Sequence, residues 1–164
     1  MQSLHRILVV LIFSLFMSGC LSTEPSEKTR DFSYEIIASE NINPDINQQA
    51  SSVLVRVYQL NNRVNFEKAR YEDLFDSDKN TLGAEFISVN EYLIDPGTSK
   101  SLDADVSATT KFIGIAVGFR SANAVNWRTI VSMPEKSSLD PMGLFGSGGV
   151  QIIIDDLSVR TTEL

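Results

Sequence analysis

The 164-residue sequence has one histidine, His5, and one cysteine, Cys20, both near its start. From Leu21 onward there is no imidazole and no thiol, which removes the usual general base, the commonest zinc ligand and the cysteine nucleophile. Disulfides are excluded as well, so the fold must be held by packing. Basic residues are also scarce. Against 21 Asp and Glu stand 14 Lys and Arg, for a formal charge of −7, a balance that argues against nucleic acid and against charge-driven adhesion to anionic membranes. Carboxylate-only hydrolysis is the catalytic chemistry left open, since two acids suffice for glycosidic bonds. The candidate pairs, Asp103 with Asp105 and Asp155 with Asp156, are expected at strand ends, where solvated carboxylates are the default. Two further motifs fail at their deciding positions. In "DSDKNTLGAEFI" Asp76, Asp78 and Asn80 match the first ligands of a calcium loop, but Thr81 replaces the turn glycine and Ile87 the bidentate Glu. An exposed polar turn is expected instead. "GLFGSGGV" lacks the Lys of a phosphate loop and runs into "QIII", a strand pattern. It reads as a connection between strands, with Leu144 and Phe145 either packed on the domain edge or exposed to a partner.

Long apolar runs are the third scarcity. The longest, Ile7 to Met17, would rise only about 16 Å as a helix against roughly 30 Å of bilayer hydrocarbon. It follows the positively charged "MQSLHR" and precedes the small pair Ser18 and Gly19, the layout of a secretory signal peptide. With Cys20 next, "FMSGC" resembles the bacterial lipoprotein signal, although Met17 stands where Leu is more usual. Residues 1–19 then form the signal peptide, and Cys20 becomes the acylated first residue of the mature chain. Each buried methylene contributes about 0.8 kcal/mol, so two acyl chains already anchor a protein stably. Leu21 follows the cysteine where an Asp would favour the inner membrane, which implies the periplasmic face of the outer membrane. Residues 20–31, including "LSTEPSEKTRD", read as a lipidated cysteine and flexible tether that could reach about 35 Å. Residues 32–164 remain for one domain of ordinary size.

Within that domain the pattern is mostly β. "FSYEIIASE" at 32–40 and "SVLVRVYQL" at 52–60 read as strands, the second covered on most of both faces and therefore mid-sheet. "NFEKARYEDLF" switches to helix formers and predicts a short helix from Phe66 to Phe75 with Asn65 as cap. "FISVNEYLID" returns to strand and ends at a "DPG" turn. In "TKFIGIAVGFR" Ile113, Ile115, Val117 and Phe119 build core, while Gly114, Ala116 and Gly118 leave room on the other face, with Trp127 of the next strand the expected occupant. "VQIIIDDLSVR" at 150–160 reads as a closing strand. Seven or eight strands with one helical excursion predict an all-β, two-sheet β-sandwich with a short helical insertion.

Taken in order, the lipidated cysteine, "NPD" at Asn43 to Asp45, "VLVRVYQL", the aromatic helix ending "DLF", "LGAEF", "DPG" and "FIGIAVGFR" followed by Trp resemble the TssJ (SciN, VasD) family of type VI secretion lipoproteins. The polar "INQQAS" after "NPD" is untypical of that family. The resemblance implies a transthyretin-like sandwich, no enzymatic activity, no cofactor and no small-molecule substrate. It also implies a partner: the periplasmic C-terminal domain of a TssM-like inner-membrane protein, bound through the loop between the first two strands. That loop maps here onto about Asn41 to Ser51, with Asn41, Ile42, Asn43, Pro44, Asp45, Ile46 and Asn47 as the partner-binding candidates. Ile42 and Ile46 sit in it without an evident core face, so one or both are expected to meet the partner. A plain turn made by Pro44 and Asp45 is the alternative for those two residues. A periplasmic ligand-binding lipoprotein is the alternative for the whole chain.

Overall fold

The computed structural model describes residues 29–121, 124, 126–133 and 149–164. The described strands are β1 (Thr29–Ala38), β2 (Val53–Leu60), β3 (Phe86–Ile94), β4 (Ser99–Ser107), β5 (Phe112–Gly118), β6 (Arg128–Ser132), β7 (Gly149–Asp155) and β8 (Ser158–Glu163). They form two four-stranded sheets, β4-β1-β7-β8 and β3-β2-β5-β6. All neighbours pair antiparallel except β1 with β7, which run parallel. Between β2 and β3 lie α1 (Val64–Lys68), α2 (Tyr71–Leu82) and a 3-10 turn at Gly83–Glu85. The architecture is the two-sheet sandwich with a helical insertion expected from the sequence.

Period-two alternation sets the main core. Phe32, Tyr34 and Ile36 of β1 and Val150, Ile152 and Ile154 of β7 face Val53, Val55 and Val57 of β2 and Ile113, Ile115 and Val117 of β5. The outer face of the second sheet is covered as well. There Tyr58, Leu60 and Ala116 pack under Phe66, Leu74 and Leu82 of the helical segment, which is why β2 carries apolar residues on both sides. Arg128 fastens that cover: its guanidinium donates to the carbonyls of Phe66, Glu67 and Ala69 and lies over the Trp127 ring. Burial there pulls its pKa below the usual arginine value, opposed by the Glu67 charge.

Several local expectations change. β4 is a strand that the sequence hardly signals, because only Leu102, Ala104 and Val106 turn inward, and it places Asp103 and Asp105 within a strand and not at strand ends. The closing segment is two strands, folded back at Asp156 and Leu157. β1 begins at Thr29, ahead of Phe32, because its pairing with β4 continues to Thr29 opposite Ser107. The helical region is longer than Phe66 to Phe75 and kinked at Ser77. It carries Asp76, Asp78 and Asn80 within α2, so the calcium-like stretch is helix and not a turn. Asn65 lies inside α1, with its amide donating to the Leu82 carbonyl at 3.2 Å instead of capping. A Cβ on Gly114 would stand 2.9 Å from the Phe66 ring, and one on Gly118 would stand 3.2 Å from Phe75. The occupants above these glycines therefore come from the helices, while Trp127 packs against Tyr71 and Phe75. The expected signal peptide, Cys20, the first part of the expected tether and the Gly143–Gly148 stretch lie outside the described residues.

Candidate functional site

Strand direction sorts the connections onto two poles. Asn43 N–H donates to the Asp156 carbonyl at 2.7 Å, Gly97 N–H to the Ser39 carbonyl at 3.0 Å, and Arg120 N–H to Asn43 Oδ1 at 2.8 Å. These contacts gather the β1–β2, β3–β4 and β7–β8 connections and the end of β5 at one pole. The start of β1 sits at the other, beside Ser107 at the end of β4.

The β1–β2 loop is built around Asn43. This residue is 3% exposed and has φ +50°, a left-handed conformation that asparagine tolerates better than most residues. Its Nδ2 donates to Ser51 Oγ at 3.1 Å and to the Ser52 carbonyl at 2.9 Å, while Ser51 Oγ donates back to the Asn43 carbonyl at 2.7 Å. With the Asp156 and Arg120 bonds, every polar group of Asn43 has a partner. Asp45 organises the tip: its Oδ1 accepts from the N–H groups of Asn47 and Gln49, each at 2.8 Å. Its own N–H donates to the Gln49 carbonyl, and its carbonyl accepts from Gln48 N–H. Aspartate is suited to this because its side chain can satisfy backbone donors two residues on.

The seven candidates therefore divide. Ile42 is fully buried among the main-core residues, so its expected role at the partner surface is corrected: it plugs the loop into the sandwich. Asn43 is buried too, and holds the loop instead of offering a side chain. Pro44 and Asp45 are half-buried and form the turn. Asn41, Ile46 and Asn47 face solvent, and Ile46 is 94% exposed. A fully solvated isoleucine on a hydrogen-bonded tip gains nothing for the folded chain, since its apolar surface stays in water. Among the candidates it is the side chain fit to be buried by something else.

A family model described as "Type VI secretion lipoprotein, VasD, EvfM, TssJ, VC_A0113" matches residues 30–156. The chain belongs to the TssJ family of type VI secretion lipoproteins. The fold agrees with solved members. TssJ1 from Pseudomonas aeruginosa superposes with a TM-score of 0.74 at 20% identity, over 84% of this chain and 98% of that one. Serratia marcescens Lip, described as a membrane bound component of the type VI secretion system, gives 0.74 at 19% identity over 80% and 96%. A chain of the structure titled "T6SS protein TssM C-terminal domain (869-1107) from EAEC" gives 0.66 at 22% identity over 84% and 100%. Among curated protein sequences none matches. At these identities the likeness establishes a common fold.

In this TssJ-family chain the pole also carries residues that the sequence did not single out. Arg120 is exposed at the end of β5 and tied by its backbone to Asn43. Asp95, at the end of β3, accepts from Ser52 Oγ at 2.5 Å. Leu93 is 70% exposed on the edge strand β3. Only the pairing of strands brings these positions beside the loop, and no local pattern announces that. The carboxylates of the other sheet are arranged differently. Asp31 lies opposite Asp105 and Ser33 opposite Asp103, around an open hollow of about 450 Å³ on the outer face of that sheet. All three aspartates are exposed, without the burial that sets a general acid apart from its partner.

Proposed function

We propose that this chain is a non-enzymatic, lipid-anchored adaptor of a type VI secretion membrane complex. It is held at the periplasmic face of the outer membrane through acylated Cys20 and binds the periplasmic C-terminal domain of a TssM-like inner-membrane protein through the β1–β2 loop. The observation that carries this is Ile46, 94% exposed at the tip of a loop whose base is locked by Asn43. Preorganisation matters because a loop already in its bound shape loses little further entropy on docking. The direction of β1 fits the role. Its ten residues run from the tether side to the loop pole, a distance of about 33 Å at strand rise. A chain fixed at Cys20 presents Asn41, Pro44, Asp45, Ile46 and Asn47 at the far end from its anchor, where an inner-membrane partner would approach. The similar structures, one of a membrane bound component of the system and another of the TssM C-terminal domain, support the same assignment.

The test is co-purification of the TssM-like protein with the epitope-tagged lipoprotein from membranes. The parent is expected to retain it, and Ile46→Glu is expected to lose most of it at unchanged abundance. Equal recovery with both would reject the loop as the docking element. Cys20→Ser is expected to leave the domain folded, release it from the outer membrane and stop secretion; normal secretion by that variant would reject the anchoring role.

A further inference from the structure

The β1–β2 loop is too small to form the whole interface. A stable protein contact engages roughly 800 Å² and 20 to 30 residues on each side, whereas the loop's solvent-facing positions are Asn41 and Ile46 to Ala50. The remainder must come from a surface continuous with it. The outer face of the second sheet offers one. Leu54 lies between Leu93 on β3 and Gly118 on β5 in one cross-strand row. The next row holds Arg56, whose guanidinium donates to Glu91 and to the carbonyls of Leu74 and Phe75. On the β5 side the helical cover continues past this row, where the Tyr71 hydroxyl donates to the Phe119 carbonyl at 3.0 Å, but toward β3 it thins. Phe75 reaches over Gly118, 3.2 Å from where a Cβ would stand, and beyond it Leu54 is half-buried and Leu93 is 70% exposed.

This leaves an apolar shelf of Leu93 and Leu54 against the edge of Phe75 at the loop pole. It is open along the sandwich side, because β3 is an edge strand. The opposite side is closed by contrast: β6 lies against β8, with Asn126 bridging Ser158 and Val159 N–H donating to the Asn126 carbonyl. The shelf is joined to the loop by bonds already described. Asn43 Nδ2 holds the Ser52 carbonyl and Ser52 Oγ holds Asp95, and Leu54 and Leu93 lie two residues inward from Ser52 and Asp95 on adjacent strands. Ile46 and Leu93 are the two most exposed large apolar side chains among the described residues. Both stand on this hydrogen-bonded pole.

We infer that Leu93, with Leu54 beside it, is a second apolar anchor for the same protein domain that takes Ile46, so that the partner wraps from the loop onto the β3 edge of the second sheet. This rests on the adaptor reading above. The partner surface must present two apolar contacts, a pocket for Ile46 and a ridge that fills the shelf over Leu54, between Leu93 and the edge of Phe75.

The mature lipoprotein in detergent would be titrated with the periplasmic C-terminal domain of the TssM-like protein from the same genome, comparing the parent with Leu93→Glu, Ile46→Glu and Leu164→Glu. Leu164 is 63% exposed at the chain end beside Gly149 and serves as the remote control. Leu93→Glu is expected to keep the parent's melting temperature and to weaken binding by roughly tenfold or more, the scale of burying one leucine side chain. Leu164→Glu is expected to bind like the parent. If Leu93→Glu shifts the melting temperature, Leu93→Ser replaces it, with weakened binding again expected. Parent-like affinity of a folded Leu93 variant, alongside loss in Ile46→Glu, would overturn the second anchor and leave the adaptor reading standing. Equal weakening by Leu164→Glu would also overturn it. Absence of binding by the parent would overturn both.

Discussion

Replacing Asn43 by alanine should cost far more than an ordinary loop substitution, and the structure gives the size. Its side chain makes three hydrogen bonds, two donated by Nδ2 to Ser51 Oγ and the Ser52 carbonyl and one accepted by Oδ1 from Arg120 N–H. At a net of about 1 kcal/mol each these amount to about 3 kcal/mol. Alanine must also hold the positive φ of +50°, at about 1 kcal/mol beyond what asparagine requires. Together Asn43→Ala should lose about 4 kcal/mol, a large part of the 5–15 kcal/mol typical of a domain. Asn43→Gly loses the same bonds but accepts the backbone angle, so it should retain about 1 kcal/mol more than alanine. The assay is urea unfolding of the chain from Leu21 onward, followed by the fluorescence of Trp127, the sole tryptophan. A loss below about 1 kcal/mol for Asn43→Ala would refute the view that this side chain locks the pole.

Gly114→Ala should destabilise by about 1–3 kcal/mol, because its Cβ would fall 2.9 Å from Phe66 and 3.0 Å from Leu60 in a filled cluster; urea midpoints would show it. Arg128→Met removes the ties to the Phe66, Glu67 and Ala69 carbonyls, and limited proteolysis should then cut α1 faster while the sandwich strands stay protected. Stability should also depend on pH at the alkaline end. Burial raises the Tyr58 pKa to about 12, and burial together with the Tyr92 hydroxyl at 2.5 Å raises that of Tyr34 further. The folded chain thus holds these protons more tightly than the unfolded one. Their contribution is full below about pH 10 and is lost as pH rises through the folded values. Melting temperatures should fall steeply above about pH 10 for the parent and less steeply for Tyr34→Phe.

The strands with strong alternation, β1, β2, β5 and β7, could be read directly because each shows a full apolar face. β4 could not, since serines and aspartates fill its outer face and only three modest apolar residues face inward. The β7–β8 hairpin was hidden for the opposite reason: "IIIDDLSV" carries apolar residues on both sides of a two-residue turn and looks continuous. At the candidate site, sequence located the loop but not the roles within it. Ile42 and Ile46 are the same residue type, four positions apart in a polar segment, yet one is fully buried and the other almost wholly solvated. What separates them is Asn43, whose positive φ reverses the chain after Ile42 has entered the core. No periodicity signals such a reversal. The contributions of Arg120, Asp95 and Leu93 depend on long-range strand pairing and were equally out of reach.

The most direct test of the account is a calorimetric titration of residues 21–164 with the periplasmic C-terminal domain of the TssM-like protein from the same genome. Saturable one-to-one binding at micromolar affinity or tighter, lost in Ile46→Glu, is the predicted result. No heat of binding from a chain that melts cooperatively would contradict it and return the protein to the ligand-binding alternative.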